Sequence, residues 1–306
     1  MSINDKQLNN SIILHRSLGS PYSEKIMLLL RYAGLDWLSV ATPKGMPRPI
    51  QQSLVGNYSR RVPILQIGSD LYCDTSMIMD KLSSLSADKS LSPMSSDAEF
   101  KELLQLIESD GTLSMLGVLT SWNFLFGYFK LLPFPDAVAF IKDRKKLAEK
   151  HSDLKNRKSK QQWMVIAKSY LSKLNDCLND SLFLTTSDRP NAADFSAYTM
   201  IWYHDILTNL THVKEFENIM AWYQRMVSFN NNEMTAIAPE LALGVAKHTE
   251  PAPIPVSMMN SPHIGQTIDV PINDVLGSII CQPISGVLAG EDNYSYIIKN
   301  ENAGKN

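Results

Sequence analysis

The chain reads Ser11-Ile12-Ile13-Leu14-His15-Arg16-Ser17-Leu18-Gly19-Ser20-Pro21 near its N-terminus. The apolar run over residues 12–14 is bounded by polar residues and by a turn, which predicts a short buried strand. Ser20 is a preferred helix-capping residue, and Pro21 suits the first helical position because its missing N–H would have no partner there. The stretch therefore predicts a strand that turns directly into a helix, and Gly34 stands where that helix should stop.

The residues after this helix alternate β-type runs with turn and helix signals. Residues 37–41 predict a second strand, and a proline-rich loop follows it. Two short β-prone runs, 64–67 and 71–73, surround a glycine-containing turn and predict a hairpin. The pair Asp74-Thr75 then opens another helix. This order of elements predicts an α+β domain of about 80 residues.

The sequence pattern in the remainder of the chain changes twice. From Asp97 strand signals vanish and apolar residues recur at helical spacing for about 150 residues, and Asn191 with Asp194 forms a helix-capping pattern. Residues 83–96 are rich in Ser and Asp and are interpreted as a linker. After a proline-rich stretch, residues 264–298 alternate Val and Ile with turn residues, which predicts a small sheet of about three to five strands. The expected divisions are an α+β domain, an all-helical domain and a small β-rich extension, over residues 1–86, 97–246 and 255–306.

The composition limits the classes of function. The 306 residues carry 29 Lys and Arg against 31 Asp and Glu, so a net charge of −2 offers no general attraction for nucleic acid or for an anionic membrane. Cys73, Cys177 and Cys281 form no Cys-x-x-Cys pair and the histidines show no ligand spacing, so neither a redox pair nor a metal site is predicted. The N-terminus lacks the apolar core of a signal peptide, and we expect a cytoplasmic protein.

One place in the sequence combines a helix start with a group suited to a small thiol. The N-terminus of the helix that begins after Ser20 carries partial positive charge and unpaired amides, which favour a thiolate. The Ser20 hydroxyl could donate a hydrogen bond to such a thiolate, or it could simply cap the helix. His204 and Asp205, by contrast, are adjacent on a predicted helix and do not face each other, so they are interpreted as structural.

Taken together, several features resemble the glutathione S-transferase family. These are the Ser-Pro turn after the first strand, Val62-Pro63 before the third, the acidic-hydroxyl pair after the fourth, and an all-helical segment containing Asn191-Ala192-Ala193-Asp194-Phe195. The resemblance covers roughly residues 11–245, and the segment beginning Gly56-Asn57-Tyr58 is similar to a bacterial group with an extra C-terminal β segment. It implies a thioredoxin-like domain followed by a helical bundle, a homodimer, and glutathione bound along the first domain.

The resemblance also implies roles for particular residues. Ser20 matches the catalytic residue of the Ser/Cys-type classes, with Tyr22 and Ser23 as nearby alternatives. Val62-Pro63 matches a cis-proline step that exposes the backbone of the preceding residue to the cysteinyl part of glutathione; a trans proline at the start of an edge strand is the alternative. Asp74-Thr75 matches the pair that holds the γ-glutamyl end, where a side chain takes its ammonium and the hydroxyl and amides take its carboxylate. The same pair also suits an ordinary helix cap.

From this resemblance we expect a glutathione-dependent transferase that conjugates the glutathione thiolate to a small hydrophobic electrophile. Trp122, Phe124 and Phe126 are candidates to line the electrophile pocket, or else they belong to the bundle core. One alternative is a non-catalytic scaffold or ligand-binding protein of the same fold. A glutathione-linked thiol oxidoreductase fits less well, because Ser20 stands where such enzymes carry Cys. Partners in nucleic acid or membrane are not expected.

Overall fold

The structure is a computed structural model that describes residues 8–94, 97–150, 158–185, 188–230, 234–272 and 282–300. The strands are β1 Ile12–Arg16, β2 Trp37–Ala41, β3 Ile64–Ile67, β4 Asp70–Cys73, β5 Thr235–Ile237, β6 Thr267–Val270, β7 Ile284–Glu291 and β8 Tyr296–Lys299. The α-helices are α1 Pro21–Tyr32, α2 Pro49–Val55, α3 Thr75–Ser86, α4 Ala98–Leu106, α5 Thr112–Gly117, α6 Ser121–Leu131, α7 Phe134–Lys150, α8 Lys160–Cys177, α9 Ala192–Thr208, α10 Glu217–Ser228 and α11 Pro239–His248. Short 3-10 segments cover Gly56–Arg60, Lys89–Leu91 and Val256–Met258, and a π-helical turn covers Ile107–Gly111.

The chain divides into two compact units. The first unit takes its described residues from Met1–Ser17, Asp36–Met77 and Met234–Asn306. The second takes them from Leu18–Leu35 and Ile78–Glu233. Helix α1 therefore belongs to the second unit, although the strands on either side of it in the chain belong to the first.

The first unit is built on a mixed five-stranded sheet with the strand order β4-β3-β1-β2-β5. Strand β1 pairs parallel with β2 and antiparallel with β3, and β4 closes the hairpin. The apolar side chains of residues 13, 14, 64 and 65 are fully buried, as the short β-prone runs predicted. Together with the helices of the second unit and the C-terminal sheet, this arrangement confirms the predicted fold class, a thioredoxin-like sheet followed by a helical domain.

A buried polar chain fastens β1 to its neighbours. The Nε2 atom of His15 lies 2.9 Å from Oε1 of Gln66, and Nε2 of Gln51 lies 3.4 Å from Nδ1 of His15. Gln66 donates in turn to the carbonyls of Gly68 and Ala242, at 2.9 Å each. Burial lowers the pKa of His15, so the neutral imidazole donates to Gln66 and accepts from Gln51.

The C-terminal part of the first unit adds one helix and a second sheet. Strand β5 joins the edge of the main sheet beside β2, and α11 follows it; neither element was predicted. Strands β6, β7 and β8 form a three-stranded antiparallel sheet, within the predicted range. Ile272 and Ile284 pack against a buried cluster formed by Leu54, Val55, Tyr58 and Ile64. The small sheet therefore shares a core with the segment that runs from α2 to β3.

The helices of the second unit follow the apolar spacing of the sequence, with two refinements. Residues 98–131 are not one continuous helix. A π-helical turn, in which a Cβ on Gly111 would lie 2.6 Å from the Tyr170 ring, separates α4 from α5, and residues 118–120 separate α5 from α6. The interpretation of residues 83–96 as a linker was wrong at its start, because α3 continues to Ser86. The Ser84 and Ser86 hydroxyls donate to carbonyls one turn earlier at 3.2 and 2.9 Å, so these polar residues are accommodated in the helix.

Helix α9 lies at the centre of the second unit. Its N-terminus is closed by the predicted capping pair, in which Asn191 accepts from Ala193 N–H at 2.9 Å and Asp194 accepts from Asn191 N–H at 3.0 Å. Most of its residues through Ile201 are buried, in agreement with their dense apolar pattern. Among the described helices, none combines the length and the apolar character needed to cross a membrane.

Candidate functional site

The β3–β4 hairpin brings two of the predicted site segments together at its open end. Ile64 pairs with Cys73 in the antiparallel register, so Val62-Pro63 and Asp74 flank the same residue pair. Residues opposed in such a ladder have Cα atoms about 4.5–5.5 Å apart. The Val62–Pro63 peptide bond is cis, as is Met46–Pro47. Residues separated by more than ten positions in the chain therefore lie side by side in the first unit.

Asp74 occupies an unusual backbone conformation. Its φ is 76°, a left-handed value that Asp and Asn tolerate better than other side-chain-bearing residues. Its N–H donates to the Tyr58 hydroxyl at 2.8 Å, and its Oδ1 accepts from Ser76 N–H at 2.8 Å. Its Oδ2 accepts no hydrogen bond from the described residues, and the side chain is only half-buried. The carboxylate thus caps α3 with one oxygen, while its other oxygen accepts no hydrogen bond within the described part of the chain.

Thr75 follows that carboxylate at the N-terminus of α3. It is the first residue of the twelve-residue helix α3, where backbone N–H groups lack intrahelical acceptors and the helix dipole is positive. Its half-buried hydroxyl makes no hydrogen bond to any described residue. Asp74 and Thr75 together present one anion and a set of neutral donors, which is complementary to a zwitterionic ligand end with one ammonium and one carboxylate.

The two titratable groups next to Asp74 stay protonated. Burial raises the pKa of the Cys73 thiol to about 12, with a further contribution from the Asp74 charge. Burial also raises the pKa of Tyr58 far above its usual value. Neither group adds negative charge beside Asp74 near neutral pH, and Cys73 does not supply a reactive thiolate.

Ser20 belongs to the second unit, where it caps α1 as predicted. Its Oγ accepts from Ser23 N–H at 3.3 Å, and its carbonyl accepts from Glu24 N–H at 3.0 Å. Pro21 occupies the first turn of the helix. The Ser20 side chain is half-buried, and its hydroxyl proton is not donated to any described residue. The hydroxyl can therefore donate to an anion while its oxygen keeps the cap.

Two buried tyrosines hold the turn that precedes Ser20. Gly19 has a φ of 77°, and a Cβ there would lie 2.6 Å from Cδ2 of Leu131. The Tyr128 hydroxyl donates to the Gly19 carbonyl at 3.3 Å and lies 2.8 Å from the Tyr203 hydroxyl. The turn is thus fixed by a backbone conformation that favours glycine and by one hydrogen bond from Tyr128 of α6, whose hydroxyl is itself held by Tyr203.

The two alternative catalytic hydroxyls differ in exposure. Ser23 is 0% exposed, whereas Tyr22 is half-buried like Ser20. A ligand thiolate has no access to Ser23 in this conformation. The geometry therefore favours Ser20 and Tyr22 over Ser23 as candidates for contact with a ligand.

The aromatic residues proposed for the electrophile pocket lie on two different faces of α6. Trp122 and Phe126 are each 66% exposed, and their rings stack with centroids 5.8 Å apart. Phe124 is half-buried, with its ring 6.2 Å from that of Tyr203. Trp122 and Phe126 are therefore not part of the bundle core, and Phe124 is the member of the trio that lies on the Tyr128 side of the helix.

His204 and Asp205 have separate partners, as expected for structural residues. His204 Nε2 lies 2.8 Å from the Met115 carbonyl, and burial lowers the pKa of His204 to about 4. Asp205 accepts from the Tyr223 hydroxyl at 2.9 Å. The two side chains therefore do not form an acid-base pair.

Sequence reasoning missed Tyr58 and Arg48. Tyr58 holds the backbone of a residue sixteen positions away, a contact that no local pattern indicates. Arg48 is buried and donates to the carbonyls of Pro43 and Arg60 at 2.8 Å each, which ties the proline-rich loop to the segment around Tyr58. A buried Arg in a proline-rich loop is unusual, but the sequence alone does not reveal its burial.

A thioredoxin-like sheet with its hairpin edge, joined to a helical domain, defines the architecture of glutathione transferases. Residues 14–90 match the family model described as "Glutathione S-transferase, N-terminal domain". This match covers the segment that contains the predicted site residues, and over that segment it agrees with the family that the sequence features resemble. No curated protein matches the chain.

Solved structures extend the likeness of the fold beyond that segment. A GST-like protein from Pseudomonas syringae is 22% identical, with 96% of this chain and 94% of that chain covered and a TM-score of 0.68. A glutathione S-transferase from Rhodospirillum rubrum F11 is 13% identical over 73% of this chain and 93% of that chain, with a TM-score of 0.50. A glutathione transferase family member from Pseudomonas fluorescens Pf-5, solved with two glutathione bound, is 15% identical over 72% of this chain and 90% of that chain, with a TM-score of 0.45. The first of these likenesses includes the C-terminal residues as well as the helical domain.

Proposed function

We propose that this chain is a glutathione-dependent transferase. In this proposal Val62, Asp74 and Thr75 bind the tripeptide, Ser20 stabilises its thiolate, and the thiolate attacks a small hydrophobic electrophile. The observation that carries the proposal is the convergence of Val62-Pro63, Asp74 and Thr75 at one end of the β3–β4 hairpin.

The binding chemistry follows from the groups at that end of the hairpin. The second oxygen of Asp74 would accept from the γ-glutamyl ammonium, while the Thr75 hydroxyl and the first-turn amides of α3 would donate to the γ-glutamyl carboxylate. The backbone of Val62 would pair with the cysteinyl residue, as one strand pairs with another. Within the described part of the chain, neither Asp74 Oδ2 nor the Thr75 hydroxyl makes a hydrogen bond that would compete with these interactions.

The thiolate requires a separate source of stabilisation, because an ordinary thiol has a pKa of about 8.5 and is mostly protonated at neutral pH. A hydrogen bond from a neutral hydroxyl to a charged acceptor contributes about 1.5–3 kcal/mol, which corresponds to about one to two pKa units. Ser20 can make such a bond because its proton is not donated to any described residue. The positive end of the α1 dipole adds to the same effect.

The second substrate is defined only by class. We propose an electrophile with an apolar body, since α6 carries aromatic residues on two faces in the unit that contains Ser20: the exposed stacked pair Trp122 and Phe126, and the half-buried Phe124. The thiolate sulfur forms a bond to the electrophilic carbon. In a substitution the leaving group departs with its bonding electron pair, and in an addition the π bond opens and the resulting carbanion takes up a proton. A homodimeric state and a cytoplasmic location also remain proposals.

A non-catalytic protein of the same fold is the second candidate. One observation favours it: both Ser20 and Asp74 accept hydrogen bonds from the helices that they begin, as ordinary capping residues do. A scaffold would need no more than these caps. The two candidates differ in whether the vacant donor and acceptor positions are used by glutathione.

Variants at the two caps separate binding from thiolate formation. We expect Asp74→Asn to weaken glutathione binding about 10- to 100-fold, since it removes the charge that pairs with the ammonium while Asn still tolerates the left-handed backbone. We expect Ser20→Ala to raise the pKa of the bound thiol by about one unit or more with a smaller loss of affinity. Binding is measured by titration calorimetry, and thiol ionisation by thiolate absorbance as a function of pH.

The outcomes distinguish the parts of the proposal. If the wild-type protein binds no glutathione, the transferase proposal is wrong and the non-catalytic scaffold is favoured. An unchanged thiol pKa in Ser20→Ala would remove only the role of Ser20, and the same measurement on Tyr22→Phe would then test the alternative hydroxyl. The conservative Ser20→Thr variant keeps a hydroxyl donor and a helix-capping oxygen at this position and serves as the matched control.

A further inference from the structure

The C-terminal sheet lies against the segment that holds Asp74 in place. Tyr58 is 6% exposed and stands in the 3-10 segment Gly56–Arg60, between α2 and β3. Its hydroxyl accepts the N–H of Asp74 at 2.8 Å. Because Asp74 has a positive φ, this contact and the bond from its own carboxylate to Ser76 N–H determine the direction of its side chain.

The position of Tyr58 depends in turn on residues far along the chain. Its ring belongs to a buried cluster with Leu54, Val55 and Ile64, against which Ile272 and Ile284 pack from the region of the small sheet. Two amide side chains add hydrogen bonds across the same contact. Asn57 Nδ2 donates to the Pro283 carbonyl at 2.8 Å, and Asn300 Nδ2 donates to the Leu54 carbonyl at 3.1 Å.

On the other side of Tyr58, the buried Arg48 guanidinium donates to the carbonyls of Ser59 and Arg60, at 3.3 and 2.8 Å. The 3-10 segment is thus tied at its end by the donors of Arg48, and near its start by the Asn57 side chain, which donates to the Pro283 carbonyl beside the C-terminal sheet. All these residues belong to the first unit.

We propose that Tyr58 is a positioning residue for the γ-glutamyl subsite, and that the C-terminal sheet β6–β8 is its brace. The sheet fixes the 3-10 segment, the segment fixes the Tyr58 hydroxyl, and the hydroxyl orients the backbone and carboxylate of Asp74 toward the ligand ammonium. This inference rests on the proposed glutathione-binding function and assigns the C-terminal extension a role in ligand recognition. The extension then determines affinity for the γ-glutamyl group without contacting it.

The test uses single variants of the full chain and two readouts. The first readout is hydrogen exchange of the Asp74 amide, which reports its contact with Tyr58 whether or not a ligand binds. The second is the affinity for glutathione compared with that for cysteinylglycine, which lacks the γ-glutamyl group. A general loss of structure would weaken both ligands, whereas a change at the γ-glutamyl subsite weakens glutathione alone.

We expect Tyr58→Phe, which removes only the acceptor of the Asp74 N–H, to speed exchange of that amide about three- to tenfold and to weaken glutathione by a similar factor. Ile284→Ala, at the contact with the sheet, should shift both readouts in the same direction. Ile297→Ala is the matched control, since it makes the same truncation in β8 and is not among the residues packed on the Tyr58 cluster. If Ile284→Ala does not fold, Asn57→Ala removes an exposed side-chain contact with the same segment.

If hydrogen exchange of the Asp74 amide is unchanged in both Tyr58→Phe and Ile284→Ala, the proposal that the C-terminal sheet positions Asp74 through Tyr58 is wrong. Faster exchange with unchanged discrimination between glutathione and cysteinylglycine would overturn the role in recognition. Wild-type protein that binds neither ligand would overturn the proposed function instead, and the exchange of Asp74 would still decide for or against the brace.

Discussion

Replacing Asp194 should destabilise the helical unit more than any other single change at a helix cap. Asp194 is 0% exposed, and its carboxylate accepts three N–H groups. Its Oδ1 accepts from Leu184 N–H at 2.9 Å and from Trp222 Nε1–H at 2.8 Å, and its Oδ2 accepts from Asn191 N–H at 3.0 Å. The residue thus joins the loop before α9, the start of α9 and the core of α10.

The expected cost follows from these three bonds. Each buried donor left without an acceptor costs about 1–3 kcal/mol, so Asp194→Ala should cost about 3–6 kcal/mol after partial relaxation. Asp194→Asn keeps one acceptor oxygen for the Leu184 and Trp222 donors but turns an NH2 group toward Asn191. It should cost about 1–3 kcal/mol. The loss in the Ala variant is comparable with the whole stability of many domains.

The assay is urea unfolding followed by far-ultraviolet circular dichroism, with the same measurement on Asp205→Asn as control. Asp205 is half-buried and accepts from Tyr223 at 2.9 Å, so its replacement should cost less than about 1 kcal/mol. A cost below about 1 kcal/mol for Asp194→Ala, or equal costs for Ala and Asn at this position, would refute the reasoning.

Two further predictions concern stability. Burial lowers the pKa of His204 from 6.5 to about 4, so between these pH values the unfolded chain binds a proton at His204 and the folded chain does not. The free energy of unfolding should therefore fall by about 3 kcal/mol as the pH drops from above 6.5 to 4. Measured by urea unfolding, the free energy of unfolding of His204→Gln should depend less on pH over this range than that of the wild type. An equal pH dependence in the two proteins would contradict this role of His204. Gly19→Ala should cost about 0.5–1 kcal/mol more than Gly34→Ala, since both residues have positive φ but the Cβ at position 19 would lie 2.6 Å from Leu131 Cδ2 and would force that side chain to shift. Equal thermal stabilities of the two variants would contradict that expectation.

Much of the fold could be predicted because its signals are local. Strand β2 has the predicted bounds, and the hairpin and the caps at Ser20 and Asn191 lie where turn and capping chemistry placed them. These features depend on a few consecutive residues. By contrast, β5 has only three residues and is a strand because β2 offers it an open edge, which no property of its own sequence indicates.

The site was predictable only in outline for the same reason. Asp74 was recognised as a cap, but its positive φ and its bond to Tyr58 depend on a contact across sixteen residues. The faces of α6 were also not predictable, because the packing of the helix leaves Trp122 and Phe126 in solvent. The spacing of residues shows which of them share a face of a helix. Which face is buried depends on the elements that pack against the helix.

The γ-glutamyl subsite is best tested by titration calorimetry of the wild-type protein with glutathione, repeated with cysteinylglycine. We expect one glutathione site per chain and clearly weaker binding of cysteinylglycine, since the dipeptide lacks the group that would contact Asp74 and Thr75. No detectable heat with glutathione, or equal affinity for the two ligands, would contradict the assignment of this hairpin end as a γ-glutamyl subsite.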